Sequence, residues 1–297
     1  MSFDPSPEQD APIPIENISD TARWVAFYRA METDRQDAIF HDPYARRLAG
    51  ERGEAIVEHM KRGRQMAWAM IVRTAVFDEI ILDVVQRRGV DTVINLAAGL
   101  DARPWRMPLP TTLHWIDIDL PGILQYKSEV LRDERPVCRY EAIATDLTDA
   151  EARSALFSRL GAEARNALIV TEGLLVYLEA EQVAALARDL HAQKSFRWWL
   201  FDLASPRLLQ WIQKDWGKSL SSGNAPMKFA PAEGTGFFRR FGWLEAEFHP
   251  TGEEARRLRR EMKGAWMWRF VALFMTESKR KEYQRLSGQA LLERQET

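Results

Sequence analysis

The chain has 297 residues, 46% of them hydrophobic and 28% charged, the composition of an ordinary globular protein with length for one large domain or two small ones. Its 41 basic and 43 acidic residues leave a net charge of −2, so it lacks the basic excess of a general nucleic-acid binder. The single cysteine excludes an intrachain disulfide and a cysteine-rich zinc site, and no metal is expected.

Residues 1–18, rich in proline and acid, read as a flexible lead-in with little to bury. They are unlike a signal peptide, and a cytoplasmic location is expected. Residues 19–297 read as one domain. A first helix begins at Ser19 or Asp20, where Trp24, Phe27, Tyr28 and Met31 repeat with the spacing of one apolar face. A turn at His41-Asp42-Pro43 leads to a short helix around 44–48. The clearest helix is 64–88, where Met66, Met70, Phe77, Ile80 and Val84 form a stripe and Arg73 stands in its middle. Residues 19–88 together are expected to form an N-terminal helical cap.

From residue 89 the pattern alternates. Strands are expected over 92–98, 113–119, 139–145, 166–172 and 196–203, with helices over 121–131, 149–160 and 179–191 between them. That alternation predicts an α/β, Rossmann-like doubly wound, mostly parallel sheet with helices on both faces. Ligands then bind beyond the carboxyl ends of the strands. The rhythm breaks at 205–236, which reads as an inserted lid, and resumes with a strand near 243–249. The core sheet is thus assigned to 89–204 and 237–250. Residues 251–297 read as a charged helical region around an apolar cluster at 266–275. That run is too short to span a bilayer, which needs about 20 residues, and it holds Arg269. Of 11 tryptophans, four precede residue 120 and seven follow residue 195, an asymmetry that asks for a purpose.

The strand tips carry the chemistry. The first strand runs into Ala97-Ala98-Gly99-Leu100-Asp101-Ala102-Arg103, and the second ends in Asp117-Ile118-Asp119, with 20 residues from Gly99 to Asp119. A tight turn brings a ligand close to the backbone, and an acid on the next strand tip accepts from ribose hydroxyls. The loop has one glycine and an acid of its own, Asp101, which opposes a pyrophosphate. A ribose-bearing ligand without phosphate fits better, and S-adenosylmethionine is such a ligand. An arginine on an apolar helix stripe must reach an anion or water, so Arg73 faces either the carboxylate of that cofactor or a nearby acid. Asp146 either accepts from an adenine amino group, with Leu147 packed on the ring, or caps the next helix. Glu172 lies near the reacting group or at a solvated strand end.

In this order and spacing, Thr21-Ala22-Arg23-Trp24-Val25-Ala26, His41-Asp42-Pro43-Tyr44-Ala45, Val72-Arg73-Thr74, the loop 95–103, Asp117-Ile118-Asp119-Leu120-Pro121 and Thr171-Glu172-Gly173-Leu174-Leu175-Val176-Tyr177-Leu178 resemble the leucine carboxyl methyltransferase family. Its bacterial branch includes polyketide O-methyltransferases. The resemblance covers roughly residues 20–250 and implies a class I S-adenosylmethionine-dependent methyltransferase. Carried across by motif, Arg73 and Arg23 would bind the methionyl carboxylate, with Arg29 a rival of Arg23. Gly99 would approach the cofactor, Asp119 the ribose, Asp146 and Leu147 the adenine, and Glu172 the methionyl amino group. Family members usually have glycine where this chain has Ala97, and the extra methyl narrows the loop.

Transfer from a sulfonium to oxygen is an in-line displacement in which alignment and desolvation supply much of the acceleration. A carboxylate acceptor is already ionised and needs no base. None of the five histidines marks itself as one; His41, beside Asp42, is the weak candidate. The expected function is O-methylation of a carboxylate or acidic hydroxyl on a small, aromatic or polyketide-like molecule, with Trp211, Trp216 and Tyr177 lining its place. Alternatives are a protein C-terminal carboxylate or tRNA base as acceptor, and a non-catalytic partner-binding module. A nicotinamide reductase is weakest, since the loop lacks the GxGxxG pattern. A small-molecule acceptor is the expected partner, with neither nucleic acid nor membrane.

Overall fold

The computed structural model describes residues 18–60, 63–221, 227–262, 264, 265, 267 and 276–296. Apart from Met267, the apolar cluster at 266–275 lies outside them. Three helices lead: α1 (Ile18–Thr33), α2 (Ala45–His59) and α3 (Gly63–Arg87). Trp24, Phe27 and Tyr28 of α1 are buried with Leu48, Ile56 and Val57 of α2 and Ile71 of α3. The crossing of α1 and α2 needs Gly53, where a Cβ would stand 2.7 Å from the Arg23 carbonyl oxygen. The stripe of α3 buries Val72, Val76, Phe77, Ile80, Ile81 and Val84 on one face of the sheet.

The sheet follows. Its first five strands are β1 (Thr92–Leu96), β2 (His114–Asp119), β3 (Arg139–Ala144), β4 (Ala167–Thr171) and β5 (Phe196–Ala204), each within a residue or two of expectation. Between them stand α4 (Arg103–Arg106), α5 (Pro121–Val130), α6 (Ala150–Glu163) and α7 (Ala180–His191). β1 and β4 are buried at every residue, as a parallel strand covered on both faces must be. With β6 (Trp243–Pro250) and β7 (Ser287–Arg294), the strand order is β3-β2-β1-β4-β5-β7-β6. β1 to β5 are parallel, and the chain winds outward in both directions from the β1–β4 pair. The crevice between those two strand ends is the switch point where such sheets bind ligands. The expected α/β, mostly parallel doubly wound sheet is what the chain forms.

The C-terminal half departs from expectation in two places. Residues 251–297 hold α9 (Thr251–Arg257) and α10 (Glu277–Gln284), but also β7 (Ser287–Arg294). β7 lies inside the sheet, antiparallel to both β5 and β6 (Trp243–Pro250). Its sequence, SGQALLER, reads as helix by propensity; burial between two strands overrides that preference. The expected lid, 205–236, divides. Its first part is α8 (Pro206–Ser221). Its last residues begin a 3-10 helix, Gly234–Phe241, which sends Phe237 and Phe238 into the core against Trp199 and Trp243. Part of the tryptophan excess is packing: Trp115, Trp199 and Trp243 are fully buried. The indole of Trp199 donates to Thr171 and that of Trp243 to the Ala187 carbonyl. Among the described residues no helix is long and apolar enough to cross a membrane.

Candidate functional site

A cavity of about 1450 Å³ opens at the carboxyl ends of β1, β2, β4 and β5, larger than the roughly 300–1,000 Å³ of a pocket for one drug-sized molecule. The helical cap closes one side and α8 with residues 227–229 another.

The loop after β1 is held from below. The backbone N–H of Gly99 donates to Asp119 Oδ2 at 2.6 Å, and Asp119 Oδ1 accepts from the Leu120 N–H at 2.7 Å. Burial pushes the Asp119 carboxyl up from its ordinary range, against those two hydrogen bonds. Gly99 sits at φ +53°, and a Cβ there would lie 3.3 Å from that of Ala22 on α1. Ala97, two residues earlier, also has positive φ, 54°, which costs an L-residue about 1–2 kcal/mol. Under the loop, the fully buried Asp117 accepts from Lys127 Nζ (2.6 Å), the Tyr140 hydroxyl (2.8 Å), the Trp115 indole (2.8 Å) and Asn95 (3.1 Å). Asn95 Nδ2 reaches Asp101 as well.

The cavity floor is a continuous ionic network. Arg29 pairs with Asp42 at 2.8 Å. Asp42 lies 3.6 Å from Arg106, which makes a two-point contact with Asp78 at 2.7 and 2.8 Å. Asp78 also accepts from Arg103 Nε, and Arg103 Nη1 meets both Asp101 at 2.7 Å and Glu172 at 2.8 Å. Glu172 turns its second oxygen to Arg73 Nε at 3.0 Å, and Arg73 Nη1 reaches Asp202 at 3.3 Å. Burial works to raise the Asp101 carboxyl, but Arg103 and Lys127 beside it prevail and hold it at about 2. Asp101 therefore stays ionised at neutral pH.

Of the residues expected at the site, Arg73, Gly99, Asp119, Asp146, Leu147, Glu172, Tyr177 and Trp211 all line this one cavity. Arg73, given two possible partners, pairs here with two protein acids. Asp146 takes both the N–H and the hydroxyl of Thr148 in a turn. Asp149 caps α6, so the alternative role for Asp146 falls away. Two expectations are corrected. Arg23 does not reach the cavity: its guanidinium stacks 3.9 Å from the ring centre of Tyr126. At about 100° per helical residue, Thr21, Ala22, Trp24, Val25, Tyr28 and Arg29 share the cavity side of α1, and position 23 falls opposite. Arg29 is the arginine of α1 that arrives. His41 is also absent from the lining. It is exposed while its neighbour Asp42 turns inward to Arg29. The side chain of Trp216 lies outside the described residues. Sequence reasoning missed Asp202, although it too is an acid near the end of an apolar strand.

Moving a carboxyl from 3.8 to about 2 adds stability that is full above the unfolded value and lost as pH falls through the folded one. Asp101→Asn is expected to destabilise the protein by about 2 kcal/mol at pH 7, with the gap shrinking between about pH 4 and pH 2. Urea titrations across that range check it; a gap independent of pH contradicts the assignment. Ala97→Gly removes the left-handed strain while adding unfolded-chain entropy. It is expected to raise stability by about 0.5–1 kcal/mol, read as a Tm increase of about 1–3 °C.

A family model described as leucine carboxyl methyltransferase matches residues 22–191. A Streptomyces coelicolor protein, provisionally named an S-adenosyl-L-methionine-dependent methyltransferase, is 34% identical over 59% of this chain and 65% of its own length. The match thus spans just under two thirds of that relative. A Streptomyces avermitilis protein with the same provisional name is 29% identical over 79% of this chain and 86% of its own. The crystal structure of a Thermobifida fusca protein, provisionally a methyltransferase, superposes with a TM-score of 0.58, covering 99% of this chain and 100% of that one. At 14% identity that last likeness concerns the fold.

Proposed function

The chain belongs to the leucine carboxyl methyltransferase family, and on that premise we propose that it is an S-adenosylmethionine-dependent methyltransferase acting on a carboxylate or acidic hydroxyl of a small, apolar molecule. The observation that carries this reading is the two-part cavity: a charged floor at the β1–β4 switch point beneath an apolar wall, in a volume with room for two ligands.

The donor set fits the cofactor. Asp119, raised by burial and set at the tip of β2, would accept from the ribose diol. Gly99 permits close approach of that ligand over the loop. Asp146 and Leu147 border the cavity beyond β3 and would meet the adenine. The zwitterionic tail would lie over Arg73 and Glu172, which offer a donor and an acceptor side by side. When bound, the sulfonium supplies an electrophilic methyl group. The chain's own task is to bind, align and exclude water.

The wall supports an apolar acceptor. Leu174, Val176, Leu209, Ile212, Met227 and Phe229 border the cavity, with Trp211 at its margin. Such a wall binds a flat or aliphatic body and shields the reacting oxygen from water. Burial raises the Tyr177 phenol, against the pull of Arg73, so this side chain is protonated at neutral pH and donates rather than removes a proton. A carboxylate acceptor, ionised in advance, suits that arrangement.

Calorimetry tests the reading. The protein is expected to bind S-adenosylhomocysteine one to one. Asp119→Ala is expected to weaken it by about tenfold or more, the worth of a hydrogen bond to a charged group. No binding by the wild type sinks the cofactor reading, and an unchanged affinity in the variant sinks the ribose assignment. Labelled methyl transfer to a lysate, fractionated by size, is expected to place label in the small-molecule fraction. Label on protein or tRNA would favour a macromolecular acceptor.

A further inference from the structure

Two polar groups on one side of the cavity are buried without a hydrogen-bond partner. Gln289, inside β7, is 2% exposed and lines the cavity. Its Nε2 donates to the Thr251 hydroxyl in a long contact of 3.4 Å, and its Oε1 has no partner among the described residues. Trp68 on α3 also lines the cavity, and its buried indole N–H has no partner among the described residues either. A buried donor or acceptor left unmet is costly, so a position that keeps one points to a ligand group that meets it.

The two groups belong to the same side. Successive residues of a strand point to opposite faces, so Gln289 shares its face with Leu291. Leu291 and Ala255 of α9 belong to the apolar cluster against which Trp68 packs. In the register of β5 with β7, Gln289 stands opposite Asp202, the residue that holds Arg73. The methionyl tail would lie over Arg73 and Glu172. Gln289 is therefore one strand further from the switch point than that tail, about 5 Å along the sheet, where Thr251 and Ala255 continue the lining. On the function proposed above, that is the acceptor's end of the cavity.

We propose that Gln289 and Trp68 form a polar subsite that recognises a hydroxyl group on the body of the acceptor, apart from the oxygen that is methylated. The inference rests on the proposed function and deepens it, from an apolar acid to a hydroxylated one. A hydroxyl donates one hydrogen bond and accepts others, and it is the smallest group that answers both an amide oxygen and an indole N–H. A ligand carbonyl only accepts, which leaves Gln289 unmet. A ligand ammonium only donates, which leaves Trp68 unmet. Turned about its last bond, the Gln289 amide presents N–H in place of oxygen, and a hydroxyl answers that as well. The pair takes no part in methyl transfer; it selects which molecule fits.

Matched acids test the subsite on the full chain saturated with S-adenosylhomocysteine. Calorimetry compares decanoic acid with its hydroxy isomers, and naphthoic acid with its hydroxy isomers. In the wild type the best hydroxy acid is expected to bind at least about tenfold more tightly than its parent, because a site built for a hydroxyl leaves its own groups unmet when one is missing. Gln289→Met keeps the length of the side chain and removes the amide, and there the preference is expected to fall to within about twofold. Trp68→Phe keeps an aromatic ring and loses the N–H. It is expected to reduce the preference by about threefold or more, and it carries the test if Gln289→Met does not fold. A wild type that binds no hydroxy acid better than its parent overturns the proposal. A preference that survives in both variants overturns it too, even where every affinity falls, because a structural role weakens parent and hydroxy acid together. A wild type that binds no S-adenosylhomocysteine marks the failure of the cofactor reading instead.

Discussion

The burial of Arg73 is the constraint on which the rest of this structure depends. The Arg73 guanidinium in the apolar stripe of α3 is mostly removed from water, and removing one partner from a buried pair costs about 3–5 kcal/mol. The side chain therefore demands acids from the element it packs against, and the sheet provides two, Glu172 beyond β4 and Asp202 on β5. Those acids create a demand of their own. Glu172 takes Arg103 from the loop after β1, Arg103 takes Asp78 back on α3, and Asp78 takes Arg106. Through Asp42 and Arg29 the chain of pairs ends on α1. Residues spread from 29 to 202 form one electrostatic unit that fixes the helical cap over the sheet.

That unit stands where the sheet changes winding direction. The strand ends diverge between β1 and β4, and the backbone of the β1 loop must turn sharply to leave the crevice open. Ala97 and Gly99 carry that turn in left-handed conformations, and the Asp119 carboxylate pins it from the neighbouring strand. The fully satisfied Asp117–Lys127 pair beneath, with Tyr140, Trp115 and Asn95, gives the loop a rigid base. Strain in the loop is tolerated because the groups around it over-determine its course. The same groups keep a ligand-facing surface polar while the Gly99 N–H and the Asp117 carboxylate are satisfied from within the chain.

How much of this was legible in the sequence follows from which forces act locally. β1 to β5 were legible because short, doubly buried apolar strands alternate with amphipathic helices. β7 was not, because its residues favour helix and only the two flanking strands make it a strand. Arg73 announced itself by breaking a stripe. Arg23 and Arg29 differed by helical phase, which a motif match ignores and the 3.6-residue period decides. Asp202 carried a strand-tip signal as clear as that of Asp119, but nothing in the chain linked it to Arg73, 129 positions away. The tryptophan asymmetry was a weaker guide, since Trp199 and Trp243 are held by core packing and a hydrogen bond each. Among the described residues Trp24, Trp68 and Trp211 line the cavity.

The two halves of the cavity answer to different physics, and this explains why motifs report one and not the other. In the floor every group has a charged or hydrogen-bonded partner, so each position depends on several others and few residue types satisfy it. A substitution there strands a buried charge. The wall of Leu174, Val176, Ile212, Met227 and Phe229 is held by dispersion and area, where apolar side chains of similar volume replace one another at small cost. On the function proposed above, chemistry common to a family would leave a sequence signature at the strand tips, whereas acceptor shape would be spread over exchangeable apolar positions after β4, in α8 and in residues 227–229. The floor has a fixed charge pattern and the wall an adjustable outline. The outline of such a wall can change without disturbing the network that holds the cap in place.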